Sequence, residues 1–156
     1  MNDRAENQAL RPVDRSVTIA LLQAREATMR LFKPCVDAAG LTLPQWRVLR
    51  ALADGGPRDA GELAEDCVIL PPSISRILAT LETAGLIERS RESADARRRL
   101  ARITDAGAAL VGRIAPDSEA RYRALESAFG AERLNFLLNE LSELRQAAAG
   151  VAVNPR

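Results

Sequence analysis

The segment from Asp59 to Thr104 switches from helical to strand periodicity, and this constrains the fold more than any other stretch. Asp59-Ala60-Gly61-Glu62 pairs an acidic N-cap with a glutamate three residues on, the pattern of a capping box. It predicts a short helix ending near Asp66. A tight break at Ile69-Leu70-Pro71 follows, and Pro71-Pro72 stands where a further helix begins, a first turn that proline pre-organises. Ile74, Ile77, Leu78 and Leu81 recur at i, i+3, i+4 and i+7 and mark the inward stripe of that helix. Ser73, Ser75, Arg76, Ala79, Thr80 and Thr83 fall on the opposite face. Gly85 stops the helix. Leu86 to Arg91 and Arg99 to Ile103 then read as strands, joined by the turn Glu92 to Arg98. Two helices around a short break, followed by a hairpin, predict a winged helix-turn-helix in a mainly α chain with a small β-wing.

Composition sets the frame around this segment. Hydrophobic residues make up 47%, charged residues 28% and aromatic residues only 3% of the 156-residue chain, so a helical globular domain with a real core is expected. Net charge is +1, so any attraction to nucleic acid must be local. From Glu88 to Arg102, six arginines (Arg89, Arg91, Arg97, Arg98, Arg99, Arg102) outweigh three acids (Glu88, Glu92, Asp95), a local net of +3. The chain has no histidine, which removes Ser-His-Asp and Cys-His arrangements and most zinc sites, so neither enzyme nor metal or other cofactor is expected. Cys35 and Cys67 form no CxxC pair, and both sit in apolar runs, where a buried inert thiol is the expected state. The chain has no signal-peptide core and no apolar run of ~18 residues, and a cytoplasmic protein is expected.

In chain order, residues 1–15 are polar and aperiodic and are expected to be a mobile arm. Ser16 is a candidate cap for a helix from Val17 to Ala39, with a kink expected at Pro34 and a stop at Gly40. The apolar residues of that helix cover more of its circumference than a surface helix needs, so a large core or a partner must cover it. Thr42 and Gln45 form a capping box for the next helix, with Trp46, Leu49 and Leu52 inward, and Asp54-Gly55-Gly56-Pro57 ends it. Thr104 caps a long helix from Asp105 to Ala128 that contains Pro116. After Gly130 a last helix carries Leu134, Leu137, Leu138, Leu141 and Leu144 on one side. Residues 150–156 are expected to be a disordered tail.

The outer face of the fourth helix suits insertion into a major groove. Ser73, Ser75 and Thr80 are short polar groups that reach phosphates or base edges, and Arg76 can donate twice to guanine. The competing account is an ordinary solvated helix face. The turn tilts the balance towards DNA, because Arg97 and Arg98 are placed to touch phosphates or the minor groove. Asp95 is expected to brace the turn.

These residues resemble the MarR family of bacterial regulators. The family pattern D-x-R followed by L/I-T-x-x-G is matched here by Asp95, Arg97, Ile103, Thr104 and Gly107, and LATLETAGLIERS resembles its helix-to-wing junction. LLQAREATMRLFKP, GLTLPQWRVLRAL and LPPSISRILATLE resemble the branch that regulates homoprotocatechuate (4-hydroxyphenylacetate) degradation operons. The resemblance implies a two-fold dimer: a dimerisation helix over 16–41, a DNA-binding domain over 42–104 and C-terminal dimerisation helices over 105–149. It also implies a pseudo-palindromic operator and release by a small aromatic carboxylate. Such a ligand needs a cation and apolar walls, for which Arg25, Arg50, Met29, Phe32, Trp46 and Leu49 are the candidates. Each has a plainer account: Arg25 paired with Glu26 or a partner carboxylate, Trp46 in the core. Two other functions stay open at this point. One is a regulator of the same type that answers oxidants or a different ligand, and the other is a helical dimeric adaptor that does not bind DNA.

Overall fold

The computed structural model describes residues 12–91 and 99–153. Six α-helices and a three-stranded antiparallel sheet are present among them, in the order α1 (Val17–Asp37), α2 (Leu43–Gly55), β1 (Arg58–Asp59), α3 (Ala60–Asp66), α4 (Pro71–Thr83), β2 (Ile87–Arg91), β3 (Arg99–Ile103), α5 (Asp105–Phe129) and α6 (Ala131–Val153). The winged helix-turn-helix expected from the sequence is therefore the observed architecture.

Local chemistry explains where most elements start. The Thr42 hydroxyl accepts from Gln45 N, and the Gln45 side chain accepts from Thr42 N at 2.8 Å, closing the box that opens α2. Asp59 and Glu62 do the same for α3, at 2.9 Å in both directions. Ser16 differs from expectation: it stands at the N-cap of α1, but its hydroxyl meets Thr18 Oγ1 at 2.9 Å and caps no backbone amide. α1 and α5 run through Pro34 and Pro116 and stay helical on both sides. Three further boundaries differ. Val13–Arg15 forms a single 3-10 turn within the expected mobile arm. Strand β1 was not anticipated, because two residues leave no readable period; Arg58 and Asp59 pair with Ala101 and Leu100. Helix α6 continues through Gly150 to Val153, beyond the expected end at 149, since one glycine costs a helix only about 1 kcal/mol.

The break before α4 consists of Cys67–Leu70, one residue longer than the Ile69-Leu70-Pro71 break expected. It is a Schellman turn: Ile69 N donates to Ala64 O at 2.9 Å and Val68 N donates to Glu65 O at 3.1 Å. The left-handed position of this motif normally carries Gly or Asn. Here it carries Val68, at φ +51°, the one positive-φ non-glycine among the described residues. That conformation costs a β-branched residue about 1–2 kcal/mol.

The core lies between α2, α3, α4, the sheet and the first half of α5. Leu49, Leu52, Leu63, Leu81, Val36 and Val48 are fully buried. Each large aliphatic side chain contributes roughly 1.5–3 kcal/mol through burial. Ile74, Leu78 and Leu81 of α4 are buried as their spacing predicts, and Ile77 packs at the edge. By contrast, Leu21, Leu22, Phe136, Leu137, Leu138 and Leu144 on α1 and α6 lie open in the single chain.

The joint between the sheet and α5 is tight. Thr104 Oγ1 donates to Gly85 O at 2.7 Å and accepts from Gly107 N at 3.1 Å, while Thr104 N donates to Leu86 O at 3.1 Å. A Cβ on Gly107 would stand 2.1 Å from the Leu86 carbonyl oxygen. Only glycine permits this approach, which is the physical content of the T-x-x-G motif.

Candidate functional site

Helix α4 presents Ser73, Ser75, Arg76 and Thr80 on its solvent side, all exposed, as expected for a groove reader. The Thr80 hydroxyl donates to Arg76 O at 3.0 Å, which leaves its oxygen as an acceptor facing outward. The first turn of α4 is unusual in its donors. Pro71 and Pro72 have no N–H, and the amides of Ser73 and Ile74 both turn back to Leu70 O, at 2.9 and 3.1 Å. No backbone donor of that turn remains for a phosphate, so only side chains there could meet one.

Helix α4 is tied to the sheet by an ion pair that the sequence reading did not single out. Arg89 on β2 donates through Nε at 2.8 Å, and through a second nitrogen, to Glu82 Oε2. The hydrogen bond from Arg89 holds the Glu82 carboxyl below its ordinary range. A second ion pair, Arg58–Asp66, joins β1 to the end of α3. Both have opposite charges on adjoining elements, but seven and eight residues apart, outside any helical spacing that would flag them. The wing residues Asp95, Arg97 and Arg98 lie outside the described residues.

The expected effector residues fall into two groups. On α1, Arg25 is exposed and pairs with Glu26 at 2.7 Å, the plainer of its two accounts. Met29 and Phe32 are half-buried on the same helix. The Phe32 ring meets Tyr122 of α5 with centroids 4.5 Å apart and planes inclined by 48°. On α2, Trp46 is 7% exposed, and the Arg50 guanidinium lies 5.9 Å from its ring centroid. On the same helix Leu49 is fully buried in the core, in line with its place on the inward face beside Trp46 and Leu52.

Tyr122 was missed, although a signal existed. Leu110, Ile114 and Ser118 are buried at four-residue spacing along α5, and Tyr122 continues that series. Its neighbour Arg121 donates to Leu31 O on α1 at 2.7 Å and to Asp117 at 3.2 Å. Leu31 lies three residues before Pro34, where the missing N–H loosens the helical ladder, and Arg121 grips α1 there. A cleft of about 380 Å³ lies beside this contact, bordered by Cys35, Ala39, Leu110, Arg113 and Asp117. Cys35 Sγ donates to Phe32 O at 2.8 Å, and both thiols are buried, Cys35 at 5% and Cys67 at 4% exposure. Burial pushes the Cys67 thiol above its ordinary value.

A buried three-helix head, an exposed polar reading helix and a sheet tied to it define a winged-helix regulator, and this chain belongs to the MarR family, whose model matches residues 39–98. It is similar to the homoprotocatechuate degradative operon repressor of Escherichia coli, 41% identical over 82% of this chain and 86% of the relative. Among solved structures, NadR in complex with 4-hydroxyphenylacetate shares 41% identity over 83% of this chain and 92% of that one, with a TM-score of 0.77. The repressor CouR bound to a 23-mer DNA duplex shares 28% identity over 85% and 94%, also with a TM-score of 0.77. These relatives are regulators of transcription rather than enzymes. Among the described residues no helix is long and apolar enough to cross a membrane.

Proposed function

We propose that this chain is a repressor of an aromatic-acid catabolic operon. It binds a pseudo-palindromic duplex as a homodimer and leaves it when a small phenolic or aromatic carboxylate binds. The observation that carries the reading is the ring pair Phe32–Tyr122, which brings two half-buried aromatic faces together where α1 meets α5. The likeness to NadR in complex with 4-hydroxyphenylacetate supports the same ligand chemistry. In this reading Met29, Phe32, Trp46 and Tyr122 supply apolar walls and Arg50 meets the carboxylate. Arg25 joins when it exchanges Glu26 for the ligand. Ligand binding there changes how α1 sits on α5 and shifts the dimer towards a shape whose two α4 helices no longer fit successive major grooves.

The test is thermal stabilisation by phenylacetates, benzoates and hydroxycinnamates, with duplex release measured in parallel. A ligand at 100 times its dissociation constant raises apparent stability by ~2.7 kcal/mol. Stabilisation by an aromatic acid that also releases duplex supports the reading, and release by oxidant alone sinks it. The oxidant reading is disfavoured by the burial of both thiols. The adaptor reading predicts no salt-dependent duplex binding, and loss of binding in Arg76→Ala would end it.

A further inference from the structure

Beyond the polar face of α4, the turn before it presents large apolar side chains to solvent. Val68 is 82% exposed and Leu70 75% exposed, and Pro71 and Pro72 beside them are exposed as well. Three observations separate this knuckle from an ordinary surface. First, Val68 holds the left-handed position of a Schellman turn, where Gly or Asn serves the backbone better. The backbone gains nothing from valine there, so the side chain must serve something outside the chain. Second, the inward role in the same turn is already filled by Ile69, which packs against the core. Third, Pro71 and Pro72 remove the amides with which a helix N-terminus usually grips phosphate. The leading end of α4 is thus unable to hold the DNA backbone by amides and is shaped instead for an apolar group.

We propose that Val68 and Leu70 read thymine 5-methyl groups in the major groove, as a specificity element separate from the hydrogen-bonding face of Ser73, Ser75, Arg76 and Thr80. The occupant follows from continuity. Leu70 is the N-cap residue of α4, one turn from Ser73, so whatever the polar face touches also meets the knuckle. In a major groove the large apolar surface is the thymine methyl, and apolar side chains read it by contact. This rests on the duplex-binding reading above.

The experiment uses the full chain and duplexes selected by the wild-type protein from a random 23-base-pair library. Each thymine of a selected duplex is replaced in turn by deoxyuridine, which lacks only the methyl group. Wild-type protein is expected to lose about fourfold in affinity at one or two positions, the value of one buried methyl-sized group. Val68→Gly, Val68→Asn and Leu70→Ala are expected to bind the thymine duplex more weakly and to lose the distinction at those positions. Their salt dependence should stay unchanged, because no phosphate contact is removed. Val68→Gly should melt no lower than wild type, since glycine suits the backbone there, and this separates lost contact from lost fold. Arg76→Ala serves as the contrast: weaker binding with the thymine preference intact. If the knuckle variants discriminate thymine from deoxyuridine as wild type does, the proposal is overturned while duplex binding stands. If wild-type protein selects no duplex, the duplex-binding reading itself fails.

Discussion

At the residue scale, the strongest constraint is Gly107. Its missing Cβ admits the Leu86 carbonyl, a backbone group that cannot swing aside, and the Ile103 side chain closes in beside it. Gly107→Ala is expected to destabilise the chain by about 1–3 kcal/mol, read as a lower urea midpoint with an unchanged slope. Glu82 carries a second residue-scale prediction. Its carboxyl titrates below the ordinary value of 4.5 because Arg89 hydrogen-bonds the charged form. A depressed carboxylate contributes stability that is complete above pH 4.5 and is lost as pH falls through the folded-state value. Glu82→Gln should therefore flatten that part of the acid-side decline and leave the slope at neutral pH unchanged, as followed by thermal melts across pH. The thiols give a third. Both are buried, so Cys35 and Cys67 should react with a chromogenic disulfide far more slowly in the native protein than in denaturant. Rapid native reaction would reopen a redox role.

At the scale of elements, the stripes that face a core within one chain were legible in the sequence. Ile74, Leu78 and Leu81 place α4, and the capping boxes at Thr42 and Asp59 fix where α2 and α3 begin, because these signals are local in sequence. Contacts set by tertiary approach were not legible. The tilted Phe32–Tyr122 ring pair, Arg121 on Leu31 O and β1 on β3 each join residues far apart, and no periodicity reports them. For Leu49 the spacing gives the inward side of α2, shared with Trp46, and the packing adds that the core covers it completely. Arg121 also carries a prediction. Arg121→Leu removes the donor that grips α1 near Pro34, and amide exchange in α1 should accelerate more than in α4. Equal acceleration in both helices would show that the contact does not act locally.

At the scale of the whole molecule, the unevenness of burial is the main fact. The head between α2 and β3 closes over its own core, whereas α1 and α6 leave leucines and a phenylalanine at 39–66% exposure. An apolar face of this extent on helices at both chain ends is covered by a second copy in the proposed dimer. Leu138→Asp should weaken self-association by roughly 10- to 100-fold, the worth of one buried leucine, as measured by sedimentation. Duplex affinity should fall with it, while the isolated chain keeps its helical content. A dimer unaffected by this change would move the interface away from α6.

The Thr104–Gly107 joint has a bearing on how such a protein diversifies. Because α5 begins in direct backbone contact with the turn behind α4, the two share one frame, and in the proposed reading a tilt imposed on α5 reaches α4 without slack. In the proposed reading, substitutions around Phe32 and Tyr122 exchange one inducer for another while the reading end keeps its operator. On that reading a lineage built on this joint acquires new chemical inputs one pocket residue at a time, because the joint between α5 and the turn behind α4 is already tight.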